Sequence, residues 1–261
     1  MKKNKRIALL SFLLLSSLAF FGWASYKKSF KPLAPEKKMV DIVYSPAKVD
    51  AGKLQLLRQL CAKMSLNQKV LFIEGTVNAL NGADSTDRLI NADYIFMKQG
   101  DQFYYKLGQS ETINTKKLNL YVDNGTKKIM LSPGKLTSAI NGVGDPAELL
   151  KKVEDEGYEL SEKINGMITI MTLSNPYHLS CKVFSIAYET ESLQPKKLVY
   201  RLSNFQEPQN SKLDNVLEIS FSSVKTSSGN DPKEITKFLR KEGKVWTLTD
   251  QYKDYELINM L

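Results

Sequence analysis

The chain contains few of the residues from which metal centres are usually built. Of its 261 residues one is histidine, His178, and two are cysteine, Cys61 and Cys181. A zinc-type centre takes three or four nitrogen, sulfur or carboxylate ligands, and His178 and Cys181 supply too few of them. A bacterial-type lipid anchor needs a cysteine directly after the signal segment, and no cysteine precedes Cys61. The sequence therefore predicts no metal, no cofactor and no lipid anchor.

Recognisable catalytic motifs are also lacking. No G-x-S-x-G nucleophile elbow surrounds Ser180 or Cys181, although both lie close to His178 in the segment NPYHLSC. Asp84 and Asp87 lack the spacing of a calcium loop, so a solvated turn explains them better. We therefore predict that the protein is not an enzyme.

The N-terminal segment indicates export. Residues 1–6, MKKNKR, carry four cations and no acid, and an uncharged run of 18 residues follows from Ile7 to Ala24. This pattern is typical of a signal peptide, yet the run also reaches the ~17–25 residues that span a bilayer. Two outcomes stay open, which are cleavage after Ala24 and retention as an N-terminal transmembrane anchor. Both place the rest of the chain outside the cytoplasm, either periplasmic or anchored in the inner membrane.

Composition after this segment predicts a linker and one domain. Residues 25–46 include several lysines and the stretch APEKK, which is typical of an extended linker. Residues 47–261 then form a single β-rich domain. Removal of residues 1–24 leaves 33 cations against 28 anions, a net charge of +5 that is spread along the chain. We predict no nucleic-acid partner, whereas weak attraction to an anionic membrane surface is compatible with this charge.

The two cysteines leave two alternatives open. In an oxidising compartment Cys61 and Cys181 can form a disulfide. Cys61 also falls on the apolar side of a helix pattern, so two separately buried thiols explain the same residues.

Three helices and many strands are predicted. The first helix runs from Asp50, its cap, to Met64 with apolar residues at steps of three and four. Residues 145–157 and 231–243 each begin with Asp-Pro and end in glycine, as helices do. The remaining alternating segments give about nine to eleven strands joined by short turns. The fold class is α+β, a curved and mostly antiparallel sheet, or open half-barrel, whose concave face about three helices cover.

One hairpin has a predicted register. In NLYVDNGTKKIML, residues 119–131, Asn124-Gly125 is the preferred pair for a two-residue type I′ turn. This turn places Val122 opposite Lys127 and Leu120 opposite Ile129.

Apolar and aromatic residues on the predicted strands suggest either a packed core or a cavity. If the concave face is too wide to fill, it takes an acyl chain or another hydrophobic ligand. The candidate cavity residues are Phe72, Tyr94, Phe96, Phe103, Tyr105, Leu120 and Ile129.

Two segments resemble the periplasmic lipoprotein-carrier superfamily of the LolA and LolB type. They are YIFMKQGDQFYYKLG, residues 94–108, at the place of the family's aromatic meander, and VDNGTKKIML, residues 122–131. The resemblance covers roughly residues 50–225 and implies an open half-barrel with a helical lid over an apolar cavity. Where the family commonly has an Arg-Trp pair in the meander, this chain has Tyr105-Lys106.

These observations give two functional hypotheses. The first is a non-catalytic envelope protein that binds an acyl chain, a lipidated protein or another lipid. The second is a membrane-anchored structural subunit of an envelope or secretion assembly, whose core is filled and whose partners are other envelope proteins. An empty apolar volume of several hundred Å³ on the concave side distinguishes the first from the second.

Overall fold

The structure is a computed structural model and describes residues 50–134, 150, 153, 156–227, 234–243 and 245–261. The N-terminal segment, the linker and most of the helix predicted at residues 145–157 lie outside the described residues. Among the residues described, no helix has the length and apolar character that a membrane span requires.

The first predicted helix is confirmed. Helix α1 spans Ala51–Ala62, and the Asp50 carboxylate caps it by accepting hydrogen bonds from the backbone N–H groups of Gly52 and Lys53 at 2.8 and 3.0 Å. Four side chains on one side of α1 are almost fully buried, namely Leu54, Leu57, Leu60 and Cys61. Helix α1 is therefore amphipathic, and it packs on the sheet through this one face.

Twelve of the strands form one sheet and two form a separate hairpin. The bounds are β1 Val70–Leu80, β2 Arg88–Gln99, β3 Gln102–Leu107, β4 Ser110–Asn114, β5 Leu118–Asp123, β6 Lys128–Pro133, β7 Glu159–Asn165, β8 Ile168–Ser174, β9 Cys181–Glu189, β10 Pro195–Leu202, β11 Asn215–Lys225, β12 Leu239–Glu242, β13 Val245–Leu248 and β14 Glu256–Asn259. The order across the large sheet is β14-β6-β5-β4-β3-β2-β1-β11-β10-β9-β8-β7. All neighbours are antiparallel except β14, which runs parallel to β6. The mostly antiparallel sheet is therefore confirmed, with more strands than the nine to eleven expected.

The chain builds this sheet from two consecutive meanders that meet at β1 and β11. Gly75 lies at a bulge in that joint, where the register shifts between Glu74 and Gly75. A Cβ atom on Gly75 would lie 1.9 Å from the carbonyl oxygen of Ser220, so only glycine allows the two strands to approach this closely.

The helix predicted at residues 231–243 is wrong in its described part. Ile235–Lys237 is a single 3₁₀ turn, and Leu239–Glu242 is strand β12, which pairs with β13. Gly243, expected to stop a helix, has a φ of 62° beside the turn between these strands. The apolar residues Ile235, Phe238 and Leu239 are buried as expected, but packing against the sheet favours a hairpin over a helix. Of the three expected helices, α1 is therefore the one that the described residues contain.

The predicted register of the β5–β6 hairpin is also wrong. Val122 lies opposite Ile129 and Leu120 opposite Leu131, so the loop has four residues, 124–127, and not two. Positive φ occurs at Lys127 and not at Gly125. The Asp123 side chain accepts hydrogen bonds from the backbone N–H groups of Gly125 and Thr126, and this favours the longer loop. A shift of two residues preserves the side-chain alternation, so the predicted apolar face survives.

Two hydrophobic cores lie on opposite faces of the sheet. The larger core lies on the face that α1 covers, which we call the helix face. The smaller core lies on the other face, under the chain segment 234–261, and we call it the C-terminal face. Tyr252 stacks on Phe238 there, with ring centroids 4.8 Å apart.

Candidate functional site

The strand register assigns every candidate cavity residue to one of these two faces. Residues directly opposite each other on paired strands point to the same side of a sheet. Ile73, Phe96 and Tyr105 form one cross-strand row, which lies on the helix face. The neighbouring row runs from Phe72 through Tyr104 to Leu120 and lies on the C-terminal face.

The structure therefore does not bring the seven candidates together. Tyr94, Phe96, Phe103 and Tyr105 share the helix face. Leu120 and Ile129 are fully buried on the C-terminal face. Phe72 points to that face too, where the ammonium of Lys225 lies 5.8 Å from its ring centroid. Period-two alternation shows which side chains of one strand share a face of the sheet. Whether side chains of two different strands share a face depends also on the lengths of the turns between those strands.

On the helix face, α1 covers part of the aromatic row. Phe96 and Phe103 stack with their ring centroids 6.3 Å apart, and both are nearly fully buried in the core that contains the α1 leucines. These two rings are packed side chains, so they support the edge of a site and do not line it.

Beyond this core the same face forms a partly exposed apolar surface, which we call the floor. Its partly buried members are Leu89, Tyr94, Tyr105, Leu217 and Ile219, and they pack around the buried side chains of Val77, Ala92 and Leu107. Tyr94 and Tyr105 meet edge to face, with ring centroids 5.8 Å apart. The floor thus draws side chains from β1, β2, β3 and β11.

The two tyrosine hydroxyls of the floor are neutral at physiological pH. Burial raises the pKa of Tyr94 and of Tyr105 well above the usual value for tyrosine, because a phenolate would lose its hydration there. Both residues are nevertheless only partly buried. The floor therefore combines apolar area with two hydroxyls that can donate hydrogen bonds.

Sequence reasoning missed Leu217 and Ile219, which are the contribution of β11. Their alternation in NVLEISFSSV was visible, but β11 pairs with β1 across more than 130 residues of chain. Neither the turns nor the local pattern indicates that pairing.

A shallow pocket lies elsewhere, where β10 begins and β11 ends. It has a volume of about 140 Å³ and includes Pro195, Lys196 and Phe221 in its wall. Ligand sites are usually about 300–1,000 Å³, so this pocket is too small for an acyl chain.

His178 lies in a hydrogen-bonded cluster that does not suit nucleophilic catalysis. Its Nδ1 accepts hydrogen bonds from the backbone N–H groups of Cys181 and Ser180, at 3.0 and 3.2 Å. Its Nε2 lies 3.2 Å from Oε2 of Glu156. The Ser180 hydroxyl lies 3.2 Å from Nδ1, whose lone pair already receives the two backbone hydrogens. A general base needs that lone pair to accept a proton, and here the lone pair is already occupied. The hydrogen bonds of the cluster instead order the loop before β9.

The titration of this cluster agrees with a structural role. Burial lowers the pKa of His178, and the nearby Glu156 carboxylate partly opposes this. Burial raises the pKa of Cys181 to about 12, so its thiol is not an active nucleophile at neutral pH. Cys61 on α1 and Cys181 on β9 are both buried thiols, which corresponds to the second alternative that the sequence left open.

Comparison with known proteins places the chain beside several solved structures. No protein-family model and no curated protein matches it by sequence. An uncharacterized conserved protein from Thermus thermophilus matches at 10% identity over 77% of this chain and 98% of its own, with a TM-score of 0.35. A putative outer membrane lipoprotein-sorting protein domain from Vibrio parahaemolyticus matches at 10% identity over 70% and 95%, with a TM-score of 0.30. A LolA superfamily protein from Nitrosomonas europaea matches at 9% identity over 68% and 94%, with a TM-score of 0.27.

Proposed function

We propose that the domain is a non-catalytic envelope protein that binds an apolar ligand on the floor. The ligand is an acyl chain, the lipid group of a lipidated protein or another lipid. The observation that supports this is the partly exposed apolar surface that side chains of four adjacent strands share on the helix face. Export of the domain, which the N-terminal segment predicts, places it among such ligands.

The chemistry of the floor suits a ligand with a long apolar part and a polar end. Leu217, Ile219 and the two aromatic rings offer contact area that gains about 25 cal/mol for each Å² of apolar surface removed from water. The neutral hydroxyls of Tyr94 and Tyr105 can donate to an ester or carboxyl oxygen of the ligand.

Native mass spectrometry of the protein purified from membranes tests this proposal directly. We expect a mass increment that dissociates on activation and matches a lipid or an acyl chain. Purification of the protein without any such increment, together with no uptake of a fluorescent fatty acid, contradicts the proposal.

A pair of matched variants locates the ligand. Tyr105→Gln removes a ring from the floor and should weaken the binding of a fluorescent fatty acid about tenfold, which corresponds to roughly 1.4 kcal/mol. Tyr121→Gln is the control, because Tyr121 lies in the same cross-strand row but on β5, outside the floor. Fluorescence titration should show an unchanged affinity for the control.

The second candidate function is a structural subunit of an envelope assembly. The small volume of the pocket beside β10 and the closed packing of the C-terminal face favour it. In that case the original protein and the variants Tyr105→Gln and Tyr121→Gln would all show negligible fatty-acid binding. The variants would instead alter the co-purification of other envelope proteins.

A further inference from the structure

The β7–β8 hairpin ends in two strongly exposed apolar side chains. Met167 is 83% exposed and Ile164 is 66% exposed. A single exposed apolar residue needs no explanation, but two at one narrow tip form a small apolar wedge. The tip lies at the outer edge of the sheet, since β7 is its last strand.

The backbone of this tip is held in place while its side chains point outward. Asn165 lies opposite Ile168, so Gly166 and Met167 make a two-residue turn, and Gly166 has the positive φ of 59° that such a turn needs. The carbonyl oxygen of Met167 accepts hydrogen bonds from the backbone N–H and the hydroxyl of Thr190, at 2.9 and 3.2 Å. The wedge is therefore presented by an ordered turn.

The described chain begins close to this same tip. Lys53, in the first turn of α1, forms an ion pair of 2.9 Å with Glu162 of β7. Glu162 and Ile164 lie on the same side of β7, two residues or about 7 Å apart. The preceding chain consequently enters the domain at the end that carries Ile164 and Met167.

The length of the preceding chain keeps the domain within reach of a membrane when the apolar run is retained. Residues 25–49 separate Ala24 from Asp50 and can reach at most about 90 Å. A tether of this length makes contact between tip and bilayer an intramolecular event, so even a weak interaction is populated. Of the carboxylates near the tip, those of Glu162 and Glu189 are ion-paired with Lys53 and Lys196, whereas Glu191, which follows Thr190, is exposed.

We propose that Ile164 and Met167 insert into the surface of the lipid bilayer that holds the apolar run Ile7–Ala24, so that the β7–β8 end of the domain faces the membrane. The opposite end of β8 then points away from the bilayer. This orientation does not depend on what the floor binds.

Site-specific quenching in the full chain tests the orientation. The protein is reconstituted in nanodiscs of phosphatidylethanolamine and phosphatidylglycerol that contain a lipid with a brominated acyl chain. An environment-sensitive dye is attached to Met167→Cys in one sample and to Leu179→Cys in another. Leu179 is the matched control, because it is 56% exposed and lies in the loop at the other end of β8. The native cysteines are buried and do not compete for the dye in the folded protein.

The expected result is quenching several-fold stronger at position 167 than at position 179, with a blue-shifted emission at position 167. Adding Ile164→Gln to the Met167→Cys protein should reduce that quenching. Equal quenching at the two positions, stronger quenching at position 179, or none at either position overturns the proposal.

Discussion

Lys182 and Asp214 form an ion pair that is almost completely buried. The Lys182 ammonium lies 2.7 Å from Oδ1 of Asp214, and the two side chains are 4% and 1% exposed. Oδ2 of Asp214 is buried without a hydrogen-bond partner among the described residues, although Nε of Arg201 lies 3.4 Å from it. Loss of one member of such a pair leaves the other charge buried and largely uncompensated.

We therefore expect Lys182→Met to lower the free energy of unfolding by about 3–5 kcal/mol, measured by urea denaturation. The double variant Lys182→Met with Asp214→Leu should recover most of this loss, because no buried charge remains. If the double variant is as unstable as the single one, the ion pair is not the source of the effect.

At the scale of elements, the joint between β1 and β11 depends on a residue without a side chain. Gly75→Ala should lower the free energy of unfolding by about 1–3 kcal/mol or more, because the new methyl group meets the backbone of Ser220 and Phe221. Thermal and urea unfolding measure the loss.

Gly125→Ala is the matched control for that variant. A Cβ atom on Gly125 would lie 3.3 Å from the Asp123 side chain in an exposed loop, and Gly125 does not have positive φ. We expect a change within about 0.5 kcal/mol. A large loss there would indicate the type I′ turn that the Asn-Gly pair predicted, in place of the four-residue loop.

The elements that the sequence predicts well are those decided by neighbouring residues. Helix α1 follows from its cap and its apolar spacing. The hairpin β12–β13 was predicted wrongly as a helix because packing against residues that are distant in the chain outweighs the local helix signals. The loop 124–127 was predicted wrongly as a two-residue turn because hydrogen bonds to one carboxylate outweigh the turn preference of the Asn-Gly pair. The floor could be predicted only if the pairing of β1 with β11 were known, and no local sequence pattern indicates that pairing.

At the scale of the whole molecule, one sheet separates two independent surfaces. The C-terminal segment closes one face, where β14 adds to the edge of β6 and the Tyr255 hydroxyl donates to Oδ1 of Asn124 at 2.9 Å. Asn124 also donates to the carbonyl oxygen of Gln109, so the β5–β6 loop links the first meander to the chain end. The other face carries α1 and the floor. Among the described residues, the floor and the core under the C-terminal segment therefore lie on opposite sides of the sheet.

This separation predicts that stability and ligand affinity can be changed independently. Phe238 is fully buried on the C-terminal face, so Phe238→Ala should lower the free energy of unfolding by about 3–5 kcal/mol. Its affinity for a fluorescent fatty acid, measured where the variant is still folded, should equal that of the original protein, whereas Tyr105→Gln weakens binding. Leu120→Ala should behave like Phe238→Ala, since Leu120 belongs to the same core. Should Phe238→Ala or Leu120→Ala weaken fatty-acid binding as much as Tyr105→Gln does, the ligand lies against the C-terminal face and the floor is not its site.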